Sequence, residues 1–306
     1  MYEQISRNKR LSYLLIVVVA ALLLILGFAI GYATGFGYFG VIFAAAVAVV
    51  MGLTSYYKGD RMVLAASHAR RVTHDDEPQL FNVVEEMAIA SGNPMPVVYV
   101  IPDSAPNAFA TGRDPEHASI AVTQGLMDKL NREELQGVIG HEMSHVRNYD
   151  ILYATLVGIL VGAIVLMADF FLRWGFWTGG GRRGRSSSSG GGYFQIIMLV
   201  VAIVAAILAP LAARAVQMAI SRRREYLADA SSVELTRNPL GLASALEKID
   251  RDQEVLEVAN RATAHLYIAN PVKKFEKRAK SVFSSHPPIQ MRIQALRSMA
   301  SMPARG

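Results

Sequence analysis

His141-Glu142-Met143-Ser144-His145 sets two imidazoles four residues apart, with a carboxylate beside the first. On a helix, side chains at i and i+4 lie one above the other on the same face. Both imidazoles can then hold one metal ion, while Glu142 points to the ion's open side as general base for a water that the metal acidifies. The chemistry of that set is metal-assisted hydrolysis of a peptide bond. A surface helix with two spare histidines and a glutamate spells the same five letters, so the surrounding chain must decide.

The motif works only on a helix, and the preceding residues open one. Asn131-Arg132-Glu133-Glu134 has the form of a capping box, with Asn131 as N-cap and Glu134 reaching back to it. Upstream, Pro78–Ser91 carries Leu80, Val83, Val84, Met87 and Ala88 at helical spacing and stops at Gly92-Asn93-Pro94. Val97–Ile101, residues 105–111 and residues 117–122 have the β-branched character of short strands.

Two histidines leave a catalytic zinc one protein ligand short, and His₂Glu is a standard set. Arg222-Arg223-Arg224-Glu225-Tyr226-Leu227-Ala228-Asp229 supplies candidates. Glu225 and Asp229 share a helix face, so Glu225 can ligate while Asp229 accepts the free N–H of a ligand histidine and fixes its tautomer. On spacing alone, Glu225 is equally well an acid that neutralises three arginines. With no cysteine in the chain, disulfides and thiolate ligands are excluded, and a metal must be held by His, Asp or Glu. His68, His74, His117 and His265 lack ligand spacing and are expected at surfaces or interfaces.

Composition places this chemistry at a membrane. Of 306 residues, 52% are hydrophobic and 18% charged, which is unusual for a soluble enzyme. Residues 11–57 carry no charge at all. A spanning helix takes about 20 apolar residues, so this stretch holds two spans with a turn in the Gly-rich residues 31–40. It is too long for the apolar core of a cleaved signal peptide. Residues 151–168 and 193–213 are two further candidates, and the Gly/Ser/Arg-rich segment 173–192 between them is a flexible connector. Residues 58–150 carry 8 basic and 14 acidic residues, and residues 214–306 carry 16 and 9. The cations adjoin spans, where the positive-inside rule explains them, so no nucleic-acid partner is expected.

His-Glu-x-x-His followed by Glu-x-x-x-Asp resembles the gluzincin pattern. Over nearly its whole length the chain is similar to the HtpX membrane metalloproteases, a bacterial group related to the CAAX prenyl proteases. That resemblance implies one Zn²⁺ per chain and a zinc endopeptidase in stress-linked quality control of membrane proteins. It also implies roles for two further motifs. Asn107-Ala108-Phe109-Ala110 is similar to an edge strand that pairs with extended substrate, and His286-Pro287-Pro288 with Arg292 to a motif that steadies the transition state.

The fold expected is an α+β membrane protein. Residues 1–57 form a transmembrane hairpin and 58–150 the first part of a zincin-like catalytic domain, mostly helical with a small sheet. Residues 151–213 interrupt it as a second apolar helix pair, and 214–306 complete it. If His141 and Glu225 share a metal, both later apolar runs cross the bilayer or neither does. Arg7, Lys9, Arg10, Lys58 and Arg61 flank the first hairpin and Arg222 to Arg224 follow the last run, which favours a cytoplasmic catalytic side of the bacterial inner membrane. Arg173, Arg182, Arg183 and Arg185 would then lie outside, against the bias, but the shared metal is the stronger constraint. His145 lies six residues before residue 151, about 9 Å of helical rise, so the site sits close to the lipid bilayer. Substrates are then unfolded or damaged membrane proteins. A prenyl-protein processing protease shares the chemistry, though four spans fall short of the larger barrel implied there. A metal transporter needs polar groups in mid-span, whereas Asp169, Arg173 and Arg214 lie near span ends, and a sensor needs no Glu142.

Overall fold

The computed structural model describes residues 2–34, 38–159, 222–252, 254, 256, 266–269 and 287–301. The charge-free N-terminal stretch lies in two long helices, α1 (Tyr2–Thr34) and α2 (Phe39–Ala66), which pack against each other. Among the described residues one helix, Val41–Ala66, is long and apolar enough to cross a membrane. α2 continues past residue 57, where the apolar stretch ends, and buries Val63 and Leu64 beneath the sheet. Of the third apolar run, Asp150–Ile159 is described as a short apolar helix. The rest of that run, the Gly/Ser/Arg-rich connector and the fourth run lie outside the described residues.

A four-stranded mixed sheet follows, built from β1 (Arg70–Arg71), β2 (Val97–Ile101), β3 (Ala108–Gly112) and β4 (Ala118–Thr123) in the order β1-β2-β4-β3. β2 and β4 run parallel, connected through β3, which turns back antiparallel on β4 and forms the edge. The third strand starts later than its composition suggests because Pro106 has no N–H to give a ladder. The fourth starts at Ala118 because Asp114 caps a short turn over Pro115–His117, accepting from the His117 backbone N–H.

Period-two alternation sends Val98, Val100, Ala108, Ala110, Ile120 and Val122 to one face of the sheet. There they meet α3 (Pro78–Ser91) and, beyond the short α4 (Gln124–Lys129), α5 (Arg132–Arg147), through Leu80, Val83, Val84, Leu135, Val138, Ile139 and Met143. Ile101, Phe109 and Ala121 face the other way, onto Val63, Leu64 and Tyr267. Both faces are covered, which is why β3 and β4 are buried throughout.

Both arms of the expected capping box are present. Asn131 Oδ1 accepts from the Glu134 backbone N–H at 3.0 Å, and Glu134 accepts from the Asn131 N–H at 2.8 Å. Glu134 is then tied to the helix Pro239–Arg251, accepting from Lys248 Nζ at 2.7 Å and Ser244 Oγ at 2.6 Å. That helix crosses α5 at Gly137, where an added Cβ would lie 2.7 Å from the Leu242 backbone nitrogen and 2.8 Å from its Cα. Backbone cannot yield as a side-chain tip can. Gly137→Ala is expected to cost about 1–3 kcal/mol by overpacking, read as a lower Tm in thermal unfolding. An unchanged Tm would show that these helices do not meet at Gly137.

Candidate metal centre and active site

Small residues on α5 let a second helix come close. The helix Arg222–Thr236 passes with Ser232 against Gly140, and Ser232 Oγ donates to the Gly137 carbonyl at 2.7 Å. Glu225 and Asp229 precede Ser232 by seven and three residues, so all three share one face. The contact that seats Ser232 therefore aims both acids at the histidines.

The donors converge. His141 Nε2 and His145 Nε2 are 3.2 Å apart, with rings nearly perpendicular at 84°. Each Nε2 lies 3.7 Å from one oxygen of Glu225. One ligand atom from each of the three residues lies within 4.8 Å of the others. Imidazole nitrogens turned towards one another and one carboxylate make a two-nitrogen, one-oxygen donor set, which fits zinc.

The opposite ring nitrogens are held as ligand histidines require, each by a carboxylate. His141 Nδ1 is 2.9 Å from Asp229 Oδ1 and His145 Nδ1 is 3.0 Å from Asp150 Oδ2. Asp229 is the partner its spacing predicts. Asp150 is a partner the sequence reading missed. It lies five residues beyond His145, after the helix has ended, and no helical periodicity points to it.

Burial governs the charges. Glu142 is 2% exposed, and removal from water pushes its carboxyl up to about 7, although His145 and the Ala110 backbone N–H favour the ionised form. His141 is pushed down to about 4 by burial and by the Arg292 guanidinium. For His145, burial opposes the charge, but the hydrogen bond it donates to Asp150 and the Glu225 carboxylate outweigh it and raise it to about 9. Burial alone would raise Asp229, yet the Arg292 guanidinium holds it below the usual carboxylate range.

β3, which carries the motif expected to take substrate, is an edge strand of the sheet. Asn107 is paired inward, its carbonyl accepting from the Thr123 N–H at 2.9 Å and its side chain bonding Ala269. Phe109 is fully buried, its ring edge-on to Tyr267. The outward backbone groups are those of Ala108 and Ala110. The Ala108 carbonyl accepts from the Ile268 N–H at 3.0 Å, and the Ala110 N–H reaches Glu142. The strand's outer edge thus lies on the side of the carboxylate.

Arg292 is expected over the reacting carbonyl, and the structure places it behind His141 instead. Its Nε and Nη2 grip Asp229 at 2.9 and 2.6 Å, and Nη1 donates to the Ile268 carbonyl at 3.1 Å and lies 3.5 Å from Glu225. Every guanidinium nitrogen already has a partner. His286 lies outside the described residues, as does His265. His68, His74 and His117 are exposed, as their lack of spacing suggests.

Residues 74–300 match Peptidase family M48. The chain is 46% identical over 301 residues to "Protease HtpX homolog" of Lactobacillus helveticus, covering 98% of this chain and 100% of that one. It is 49% identical over 304 residues to the protein of the same name from Lactiplantibacillus plantarum, again with 98% and 100% coverage. Among solved structures, that of S. mikatae Ste24p aligns with 97% of this chain and 67% of the other at 20% identity and a TM-score of 0.45, too loose a likeness to argue from. A His₂Glu donor set inside the region that matches the family, and relatives matched end to end, place the chain in peptidase family M48 as a zinc-dependent protease of the HtpX type.

Proposed function

We propose that this protein is a membrane-embedded zinc endopeptidase that cleaves misfolded or damaged membrane proteins at the cytoplasmic face of the bacterial inner membrane. The carrying observation is the convergence of His141, His145 and Glu225 on one point, with the buried Glu142 on the same helix as the two histidines. In this reading those three residues hold one zinc ion. When bound, zinc supplies a Lewis acid that acidifies water and polarises a carbonyl. Glu142 takes the proton of the attacking water and passes it to the leaving amine. Asp229 and Asp150 keep the Nδ1–H tautomer of each histidine, leaving Nε2 free to ligate. Arg292 holds Asp229 in place.

β3 supports the choice of substrate. An edge strand binds a chain in extended form, which a folded protein does not offer. Asn107 and Phe109 act from behind by fixing the strand, Ala110 presents outer backbone beside Glu142, and the Ala108 carbonyl is already taken by the Ile268 N–H. α1 and α2 form the N-terminal hairpin of a multi-pass protein, with residues 58–150 and 214–306 making one catalytic domain on the side of Lys58 and Arg61. The later apolar pair, 151–213, returns the chain to that side.

The test uses the full chain in detergent. Chelation is expected to abolish cleavage of an unfolded substrate, and one equivalent of Zn²⁺ per chain to restore it. His141→Ala loses both zinc and cleavage. In proteoliposomes, a destabilised membrane protein is cleaved in preference to its folded form. Cleavage confined to soluble, folded substrates would overturn the quality-control reading, and full activity in His141→Ala would overturn the metal site.

A further inference from the structure

The start of α1 reaches the metal centre. Asn8 is fully buried. Its Nδ2 donates to Asp150 Oδ1 at 2.6 Å and to the Asn148 carbonyl at 2.9 Å, and its Oδ1 accepts from Arg224 Nη1 at 3.1 Å. Both amide hydrogens and the amide oxygen are therefore in use, by partners more than 130 residues away. The other oxygen of Asp150 holds His145 Nδ1 at 3.0 Å. The next residue adds a second tie. Lys9 Nζ sits 4.1 Å from the centre of the Tyr149 ring, and Tyr149 has φ +58, a left-handed conformation uncommon for a bulky residue. The turn Asn148-Tyr149-Asp150 is gripped by α1 at all three residues.

A membrane anchor needs none of this. Burying an amide at the end of an apolar helix costs free energy unless it is hydrogen-bonded, and this one is bonded through Nδ2 to the turn that follows the metal motif and through Oδ1 to Arg224, the neighbour of Glu225. We propose that Asn8 is a positioning residue of the metal site. It fixes the Asp150 carboxylate, which fixes the His145 ring, so the N-terminal helix forms part of the outer shell of the zinc centre. The relay is Asn8 to Asp150 to His145. It rests on the reading of His145 as a ligand. Its consequence is that a displacement of α1 changes how tightly the metal is held, even though α1 supplies no ligand.

The experiment titrates Zn²⁺ into the metal-free full chain in detergent against a chelating dye, and records the visible spectrum of the Co²⁺-loaded protein. Loss of an outer-shell partner weakens metal binding about 10–100-fold. Asn8→Leu, one bond further out, is expected at the lower end of that range, with a shifted cobalt band. Ser12 lies one turn on and donates only to the Asn8 carbonyl, so Ser12→Ala is expected to change neither measurement. That separates metal positioning from a merely structural effect on α1. Should Asn8→Leu not fold, Asn8→Ser, too short to span to Asp150, is read in the same two ways. Zinc affinity within twofold of wild type and an unshifted cobalt band would overturn the proposal if His145→Ala has lost its zinc. Zinc retained by His145→Ala would instead overturn the ligand reading beneath it.

Discussion

Glu142→Gln is expected to keep its zinc and lose cleavage by about 10²–10⁴-fold in kcat, the range for removing a positioned general acid–base. Glutamine has nearly the shape of glutamate and can still meet the Ala110 backbone edge, and the three proposed ligands are untouched. What it cannot do is accept a proton. Glu142 is also placed to be a good base, because burial has moved its carboxyl up to about 7, near working pH. The sign of the pH dependence follows. The base form is lost as pH falls through the folded value, so wild-type kcat/KM drops on the acid side. A dication nearby favours the ionised carboxylate, so that limb lies at or below 7. The residual activity of Glu142→Gln lacks the limb. Steady-state kinetics across pH, with metal content measured on the same samples, checks both halves. A zinc-loaded variant that cleaves at the wild-type rate sinks the assignment of Glu142.

Local chemistry was legible in the sequence wherever it was the whole explanation. The bounds of α3 follow from Pro78 at its first turn and the left-handed Gly92 at its end. The capping box at Asn131 needs only residues three apart, and it formed. Glu225 and Asp229 were found because one helix face carries both.

The remainder depends on where distant segments meet. Asp150 and Asn8 are 142 residues apart, and neither belongs to a periodic pattern that includes His145. Asn107 shows a finer limit. Which residues of a strand turn their backbone outward is set by register with the neighbour, and Asn107 is bonded to Thr123. The outward positions therefore fall at 108 and 110, so that of the expected Asn107, Ala108 and Phe109, Ala108 alone turns its backbone outward. For Arg292 the sequence offers a cation but not its counter-ion. Its partner is Asp229, a residue assigned on other grounds.

That pairing carries the second large effect. Arg292→Leu is expected to destabilise the metal-free protein by about 3–5 kcal/mol, as removing one partner of a buried ion pair does. Arg292 is 1% exposed, Asp229 2% and Glu225 5%, so solvent cannot replace the guanidinium. Without it, burial wins at Asp229 and the carboxyl rises above its unfolded value. A raised carboxylate penalises folding above the unfolded pKa and not below it. The loss of Tm is therefore larger at pH 7 than near pH 4, opposite to wild-type Asp229, whose depressed carboxyl contributes stability at neutral pH that fades on acidification. Zinc binding tests the same step separately. Losing a positive charge beside the site favours a dication, but Asp229 takes up a proton at the same time, and the two charge changes cancel. What remains is a neutral carboxyl in place of the carboxylate, a weaker acceptor for His141 Nδ1, expected at the low end of the 10–100-fold range for losing such a partner, about 10-fold in metal affinity. Arg292→Lys keeps the charge and loses the two-pronged grip, so it falls between the two in both measurements. An Arg292→Leu protein as stable as wild type at pH 7, with unchanged zinc affinity, would show that Asp229 does not depend on this guanidinium.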